Sequence, residues 1–141
     1  MPMDVVIRPA RADEAETVLA LWREANAVES VTDDASSVRE LMRRDPGSLL
    51  VAEMDGRVVG TLAATWDGWR GHFYRLAVRP DVRHRGVATD LVREGERRLR
   101  NLGARRLSAL VMKESEEAAG FWRAAGYEHD QRVRRFIRTM E

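Results

Sequence analysis

The chain has 141 residues, 44% hydrophobic and 33% charged, with 24 basic against 23 acidic side chains and no cysteine. A chain of this size buries roughly 70% of the surface its unfolded form exposes, so one domain over residues 1–141 needs no disulfide or metal staple. The lack of cysteine excludes thiolate chemistry and zinc ribbons, the formal net charge of +1 argues against a nucleic-acid partner, and short apolar runs behind Met1-Pro2-Met3-Asp4 give neither membrane span nor export signal, so a cytoplasmic protein is expected.

Val5-Val6-Ile7 reads as a short strand, and Arg8-Pro9-Ala10-Arg11-Ala12 leads out of it. Asp13-Glu14 suit the first turn of a helix, whose apolar stripe is Val18, Leu19, Leu21, Trp22 and Ala25. Asn26 to Asp34 reads as an acidic loop with Glu29, Asp33 and Asp34, and a second helix runs from about Ser36 to Arg44 until Pro46-Gly47 ends it. The period then changes. Leu49 to Met54 and Arg57 to Trp66 are strands around an Asp55-Gly56 turn; Asp67-Gly68 repeats the device before a third strand, His72 to Val78, which Pro80 stops.

From Val87 to Leu102 the residues Val87, Ala88, Leu91, Val92, Leu99 and Leu102 share a helical face, with Glu94 and Arg98 spaced as an ion pair and Gly103 placed as a C-terminal cap. Arg106 to Met112 is another strand. Ser115 caps a helix with Glu116 and Glu117 in its first turn and Ala118, Phe121, Trp122 and Ala125 on its buried face; Gly126 stops it, and Arg132 to Thr139 is a final strand. The order β-α-α-β-β-β-α-β-α-β predicts a mixed α/β domain with α+β character, built on a mostly antiparallel sheet.

One segment carries chemical content. Arg83-His84-Arg85-Gly86-Val87-Ala88 joins a strand to the start of the long helix, where amides without intrahelical partners and the helix dipole make an anion site. Gly86 removes the Cβ that would keep a phosphate from the backbone, and Arg83 and Arg85 add charge-assisted donors. A basic turn that needs glycine only for its backbone angles explains the same residues.

Arg83-x-x-Gly86-x-Ala88 resembles the Gln/Arg-x-x-Gly-x-Gly/Ala signature of the GNAT (GCN5-related N-acetyltransferase) superfamily. The likeness extends along the chain: Ile7-Arg8-Pro9-Ala10 with Asp13, Val51-Ala52-Glu53, Gly56-Arg57-Val58-Val59-Gly60, Leu76-Ala77-Val78-x-Pro80, and Ala118-x-x-Phe121-Trp122-x-x-x-Gly126-Tyr127 stand in the family's order. Within the superfamily the chain looks most like small single-domain bacterial members related to ribosomal-protein N-terminal acetyltransferases.

The resemblance implies a GNAT fold with splayed central strands and acetyl-coenzyme A (acetyl-CoA) as acetyl donor. It places the pantetheine arm on the backbone of Leu76, Ala77 and Val78, and the pyrophosphate on Arg83, His84, Arg85, Gly86, Val87, Ala88 and Thr89. Ser115 stands where the family has an asparagine near the coenzyme, beside Phe121. Trp122 replaces the tyrosine that often protonates the thiolate, and an indole N–H is a poor acid.

His72 matches the position of a glutamate base in several members, and histidine changes charge near neutral pH. Tyr74 shares its strand face by alternation, and Glu53 is a further candidate. The implied acceptor is the amine of a small molecule, peptide or protein, taken directly in a ternary complex; the acidic loop, with Glu24, suits a cationic acceptor and equally a solvated surface. The implied assembly is a monomer or homodimer, without metal. The Trp122 replacement keeps open a catalytically silent coenzyme-A-binding regulatory module, and Arg132, Arg134, Arg135 and Arg138 an RNA-associated protein, against which the charge balance counts.

Overall fold

The computed structural model describes residues 4–25, 27 and 29–140. The sequence readings at Met1-Pro2-Met3, Asn26 and Val28 lie outside these residues. Contacts divide the chain into two compact units, residues 1–109 and 110–141.

The first unit is a five-stranded sheet in the order β1-β2-β3-β4-β5, among the described residues. Its strands are β1 (Val5–Pro9), β2 (Leu49–Met54), β3 (Arg57–Trp66), β4 (Gly71–Val78) and β5 (Leu107–Ala109). The first four pair antiparallel and β4–β5 is parallel. A parallel pair needs a long crossover, and α3 (Val87–Leu102) supplies it. Two hairpins set the antiparallel part. Asp55 and Gly56 both take positive φ (56° and 74°), as a tight primed turn requires. At the second, the Asp67 side chain accepts from the Trp69 and Arg70 backbone N–H groups at 2.9 and 2.7 Å, an Asx turn.

Helices cover both faces, which is why β2 is apolar nearly throughout rather than alternating. On one face α1 (Ala15–Glu24) and α2 (Ala35–Arg44) bring Val18, Leu19, Leu21, Trp22 and Val38 onto Leu49, Val51, Ala63 and Ala77. On the other, α3 lies close to the sheet: an added Cβ at Gly95 would stand 2.8 Å from Phe73 Cε1 and 3.1 Å from Leu62 Cδ2. Fully burying a leucine or phenylalanine is worth roughly 1.5–3 kcal/mol, so these two layers hold the unit.

Several local expectations change. Glu14 does not serve a first-turn dipole on the surface. It is buried, accepts a bidentate pair of bonds from Arg8 at 2.8 Å each, and takes the Arg11 backbone N–H at 2.8 Å. Glu94 pairs with Arg97 at 2.9 Å rather than with Arg98, whose guanidinium crosses to Asp45 and the Pro46 carbonyl because those acceptors lie at the less exposed end of its reach.

In the second unit α4 (Glu116–Ala124) is capped by Ser115, whose hydroxyl accepts from the Ala118 N–H at 3.2 Å. Trp122 is buried, edge-on to Phe121 (5.5 Å between centroids) and Tyr127 (4.9 Å). The expected strand over 132–139 is absent: these residues carry no regular structure, and Val133, Phe136 and Ile137 are exposed. Arg134-Arg135 beside Phe136-Ile137 breaks the alternation, so either face of an extended strand would mix arginine with apolar side chains. Among the described residues no helix is long and apolar enough to cross a membrane.

Candidate active site

The site is organised by the departure of β4 from β5. Their register is Gly71↔Leu107, His72↔Ser108 and Phe73↔Ala109, and it ends there. From Tyr74 to Val78, β4 stays paired to β3 on one side while no described strand pairs its other edge. That edge offers backbone N–H and C=O groups to an extended ligand, in the manner of an added strand. The expected Arg106–Met112 strand is shortened accordingly.

A bulge lies where the strands part. Thr61 pairs with Ala77 but Ala63 with Tyr74, so β4 carries an extra residue, and Arg75 takes φ +55°. A bulge bends its strand and increases the twist. Four contacts hold this one. Thr61 Oγ1 donates to the Arg75 carbonyl at 2.9 Å and accepts the Trp22 indole N–H at 2.9 Å; the Arg75 guanidinium lies over the Trp22 ring at 5.3 Å and pairs with Asp33.

The open edge leads into the start of α3. Arg83 Nε donates to the Val78 carbonyl at 3.2 Å, tying the loop to the strand end. His84 and Gly86 have positive φ (65° and 81°), and Gly86 is the N-cap with no side-chain cap bond. The first helical bond runs from the Asp90 N–H to the Gly86 carbonyl, so the amides of Val87, Ala88 and Thr89 precede the intrahelical ladder. A Cβ built at Gly86 would meet nothing within 4 Å, so the space beside this residue is open. Such an arrangement of free amides can cradle an anion.

At the closed end of the splay stand the candidate catalytic residues. His72 Nε2 is 3.1 Å from Asp67 Oδ2, and Nδ1 is 3.0 Å from Ser108 Oγ. The backbone N–H of Arg70, then His72, then the N–H of Trp69 lower the Asp67 carboxyl to about 2, so it is ionised at neutral pH. Tyr74 lies on the same face, its ring 6.4 Å from that of His72, and is 38% exposed.

Other candidates are committed elsewhere. Glu53 accepts from Arg8 at 3.0 Å on the β1–β2 side of the sheet. The acidic loop is neither an open cation trap nor a solvated surface throughout: Asp33 holds Arg75, Asp34 accepts the Ser37 N–H at 2.7 Å as the cap of α2, and Glu24 pairs with Arg79 at 3.1 Å. Ser115, Phe121 and Trp122 belong to the second unit, where Ser115 is occupied as a cap. Sequence reasoning missed Ser108, Asp67 as the partner of His72, and the bulge at Arg75. Asp67 was legible as a turn residue, but its second oxygen and Ser108 meet His72 only once the parallel register is fixed.

The sequence profile described as the Acetyltransferase (GNAT) family matches residues 15–127. The chain belongs to the GNAT family of acetyltransferases. A curated relative from Pectobacterium atrosepticum, named an acetyltransferase, is 32% identical over 122 residues, 86% of either chain. A GNAT acetyltransferase of Brucella melitensis, solved with acetyl-CoA, superposes with a TM-score of 0.68 at 25% identity, covering 89% of this chain and 84% of that one. The PaiA N-acetyltransferase of Thermoplasma acidophilum, solved with coenzyme A, shares the fold with a TM-score of 0.80 at 17% identity, over 91% and 92% of the two chains. As a GNAT acetyltransferase the protein is an enzyme that acts on amine acceptors.

Proposed function

We propose that this GNAT acetyltransferase moves an acetyl group from acetyl-CoA to a primary amine by direct attack in a ternary complex, with His72 as general base. The observation that carries this reading is the continuity of the site. The unpaired edge of β4 runs from Tyr74 to Val78 into the α3 cradle at one end and reaches His72 at the other. A ligand with an amide-bearing arm and a pyrophosphate needs that combination of strand edge and anion site.

In this arrangement acetyl-CoA is the donor. Leu76, Ala77 and Val78 pair with the pantetheine arm. The amides from Arg85 to Thr89, with the Arg83 and Arg85 guanidiniums, hold the pyrophosphate. The thioester then lies in the opening between β4 and β5, where a β4 backbone N–H polarises its carbonyl. The amine nitrogen attacks the carbonyl carbon, its proton leaves toward His72, and the coenzyme departs as the thiolate. Tyr74 lines the acceptor side of the opening, with its hydroxyl available to the leaving sulfur. Trp122 offers only an indole donor and takes no acid role.

Titration calorimetry with acetyl-CoA, followed by thiol release over an amine panel (spermidine, a peptide with a free N-terminus, an acetyl-capped lysine peptide), tests the reading. Acetyl-CoA binds, one panel member is turned over, and His72→Gln loses at least ~100-fold in kcat. No heat of binding with acetyl-CoA sinks the reading.

A further inference from the structure

The proposed base is closed in on both sides. Asp67 occupies His72 Nε2 at 3.1 Å and Ser108 occupies Nδ1 at 3.0 Å. A substrate amine therefore reaches the imidazole only by displacing one of them. The chemistry of the two partners fixes the protons. An ionised carboxylate only accepts, so the ring nitrogen facing it carries hydrogen; neutral His72 is the Nε2–H tautomer, and its lone pair is on Nδ1. Ser108 must then be the donor in its bond to Nδ1. Its second face is open, since Ser108 is exposed while the His72 side chain is 30% exposed.

Asp67 is well suited to this task. Its Oδ1 is fixed by the Trp69 and Arg70 amides of the β3–β4 turn, which leaves Oδ2 directed at His72. Among the described residues the Tyr74 ring lies 6.4 Å from the imidazole, and the paired β3 residue Thr65 donates its hydroxyl to the His72 backbone carbonyl at 3.2 Å. Neither takes a ring nitrogen.

Resting on the acetyl-transfer reading above, we propose that Ser108 is the residue that meets the acceptor amine, relaying its proton to His72 while Asp67 positions the imidazole. As the amine nitrogen bonds to the thioester carbon, its N–H proton passes to Ser108 Oγ and the Ser108 proton passes to His72 Nδ1. The carbon–sulfur bond breaks with its electron pair on sulfur. The imidazolium, paired with Asp67, returns its proton to the thiolate or to solvent, so Ser108 and His72 end the cycle as they began. Ser108 is a catalytic residue in this scheme and Asp67 a positioning one.

The tautomer is read without turnover, from the imidazole 15N resonances of the full chain. With three histidines, His72 is assigned by the signals lost in His72→Gln. The expected spectrum shows hydrogen on Nε2 in the wild type and on Nδ1 in Asp67→Asn, whose amide oxygen is kept by the two turn N–H groups so that its NH2 donates to Nε2. In thiol release with the panel amine that is turned over, Ser108→Ala loses about 10- to 100-fold in kcat, partly spared by a bridging water, with KM for acetyl-CoA unchanged. Ser108→Thr, which keeps the hydroxyl, restores most of it. Hydrogen on Nδ1 in the wild type overturns the relay. So does full kcat in Ser108→Ala while His72→Gln is inactive, a result that leaves acetyl transfer by His72 standing. Full kcat in His72→Gln removes the base assignment and the relay together.

Discussion

Asp33, in the segment ahead of α2, grips the guanidinium of Arg75 at the residue where β4 bulges away from β5. The two side chains are 11% and 24% exposed, so the pair is largely withdrawn from water and its loss leaves a poorly solvated charge. A non-glycine residue at φ +55° also costs about 1 kcal/mol, which the surrounding contacts must offset. The opening proposed to receive the thioester thus depends on a residue from the helical segment. Asp33→Ala is expected to lower stability by about 2 kcal/mol, read as a urea midpoint, and to lower kcat beyond the fraction unfolded.

The same bulge has an uncharged support. Thr61, fully buried, joins the Trp22 indole N–H to the Arg75 carbonyl. Thr61→Val keeps the shape and removes both bonds, leaving a buried donor and acceptor unpaired. A loss of about 1–3 kcal/mol is expected. Thermal unfolding of Thr61→Val beside Thr61→Ser separates the hydroxyl from the methyl: a serine variant less stable than the valine one would assign Thr61 to packing.

Acid stability is expected to follow Glu14. The Arg8 side-chain bond, aided by the Arg11 amide and opposed by burial, lowers its carboxyl from 4.5 to about 2. A depressed folded value means the unfolded chain takes the proton first. The contribution is therefore complete above about pH 4.5 and is lost as pH falls from there toward 2. Urea midpoints measured from pH 6 to pH 3 should drop steeply in the wild type. In Glu14→Gln the curve should start about 2 kcal/mol lower and run flatter over that range.

Sequence patterning revealed what depends on local chemistry. The Asp55-Gly56 and Asp67-Gly68 turns, the apolar face of α3, the Ser115 cap and the cradle at Gly86 follow from neighbours a few residues apart. The site's finer geometry depends on residues distant in sequence. Ser108 meets His72 through a parallel register that only the α3 crossover sets, and Asp33 meets Arg75 from the segment between α1 and α2. Arg98 shows the same limit: helical spacing favoured Glu94, but Asp45 in a remote loop holds it. The strand read at 132–139 fails for a related reason. Extended propensity becomes a strand only against a partner, and none of the described strands pairs with it.

Two glycines, the N-cap of α3 and one within it, distinguish the proposed cradle from the core. Gly86 stands at φ +81° with open space beside it, so Gly86→Ala costs the fold about 1 kcal/mol of backbone strain and adds a methyl group at the proposed anion site. Gly95 sits against the sheet, where a Cβ would come within 2.8 Å of the Phe73 ring and 3.2 Å of Ala64 Cβ. Neither neighbour yields easily, since Phe73 is 1% exposed and Ala64 fully buried. Gly95→Ala is therefore expected to cost about 1–3 kcal/mol through overpacking. By calorimetry, Gly86→Ala should weaken acetyl-CoA at least ~10-fold while melting about 4 °C earlier, because a pyrophosphate held off the amides loses several charge-assisted bonds. Gly95→Ala should melt earlier and, at a temperature where it is folded, bind acetyl-CoA as the wild type does. Equal affinities in wild type and Gly86→Ala would remove the helix start from the coenzyme site.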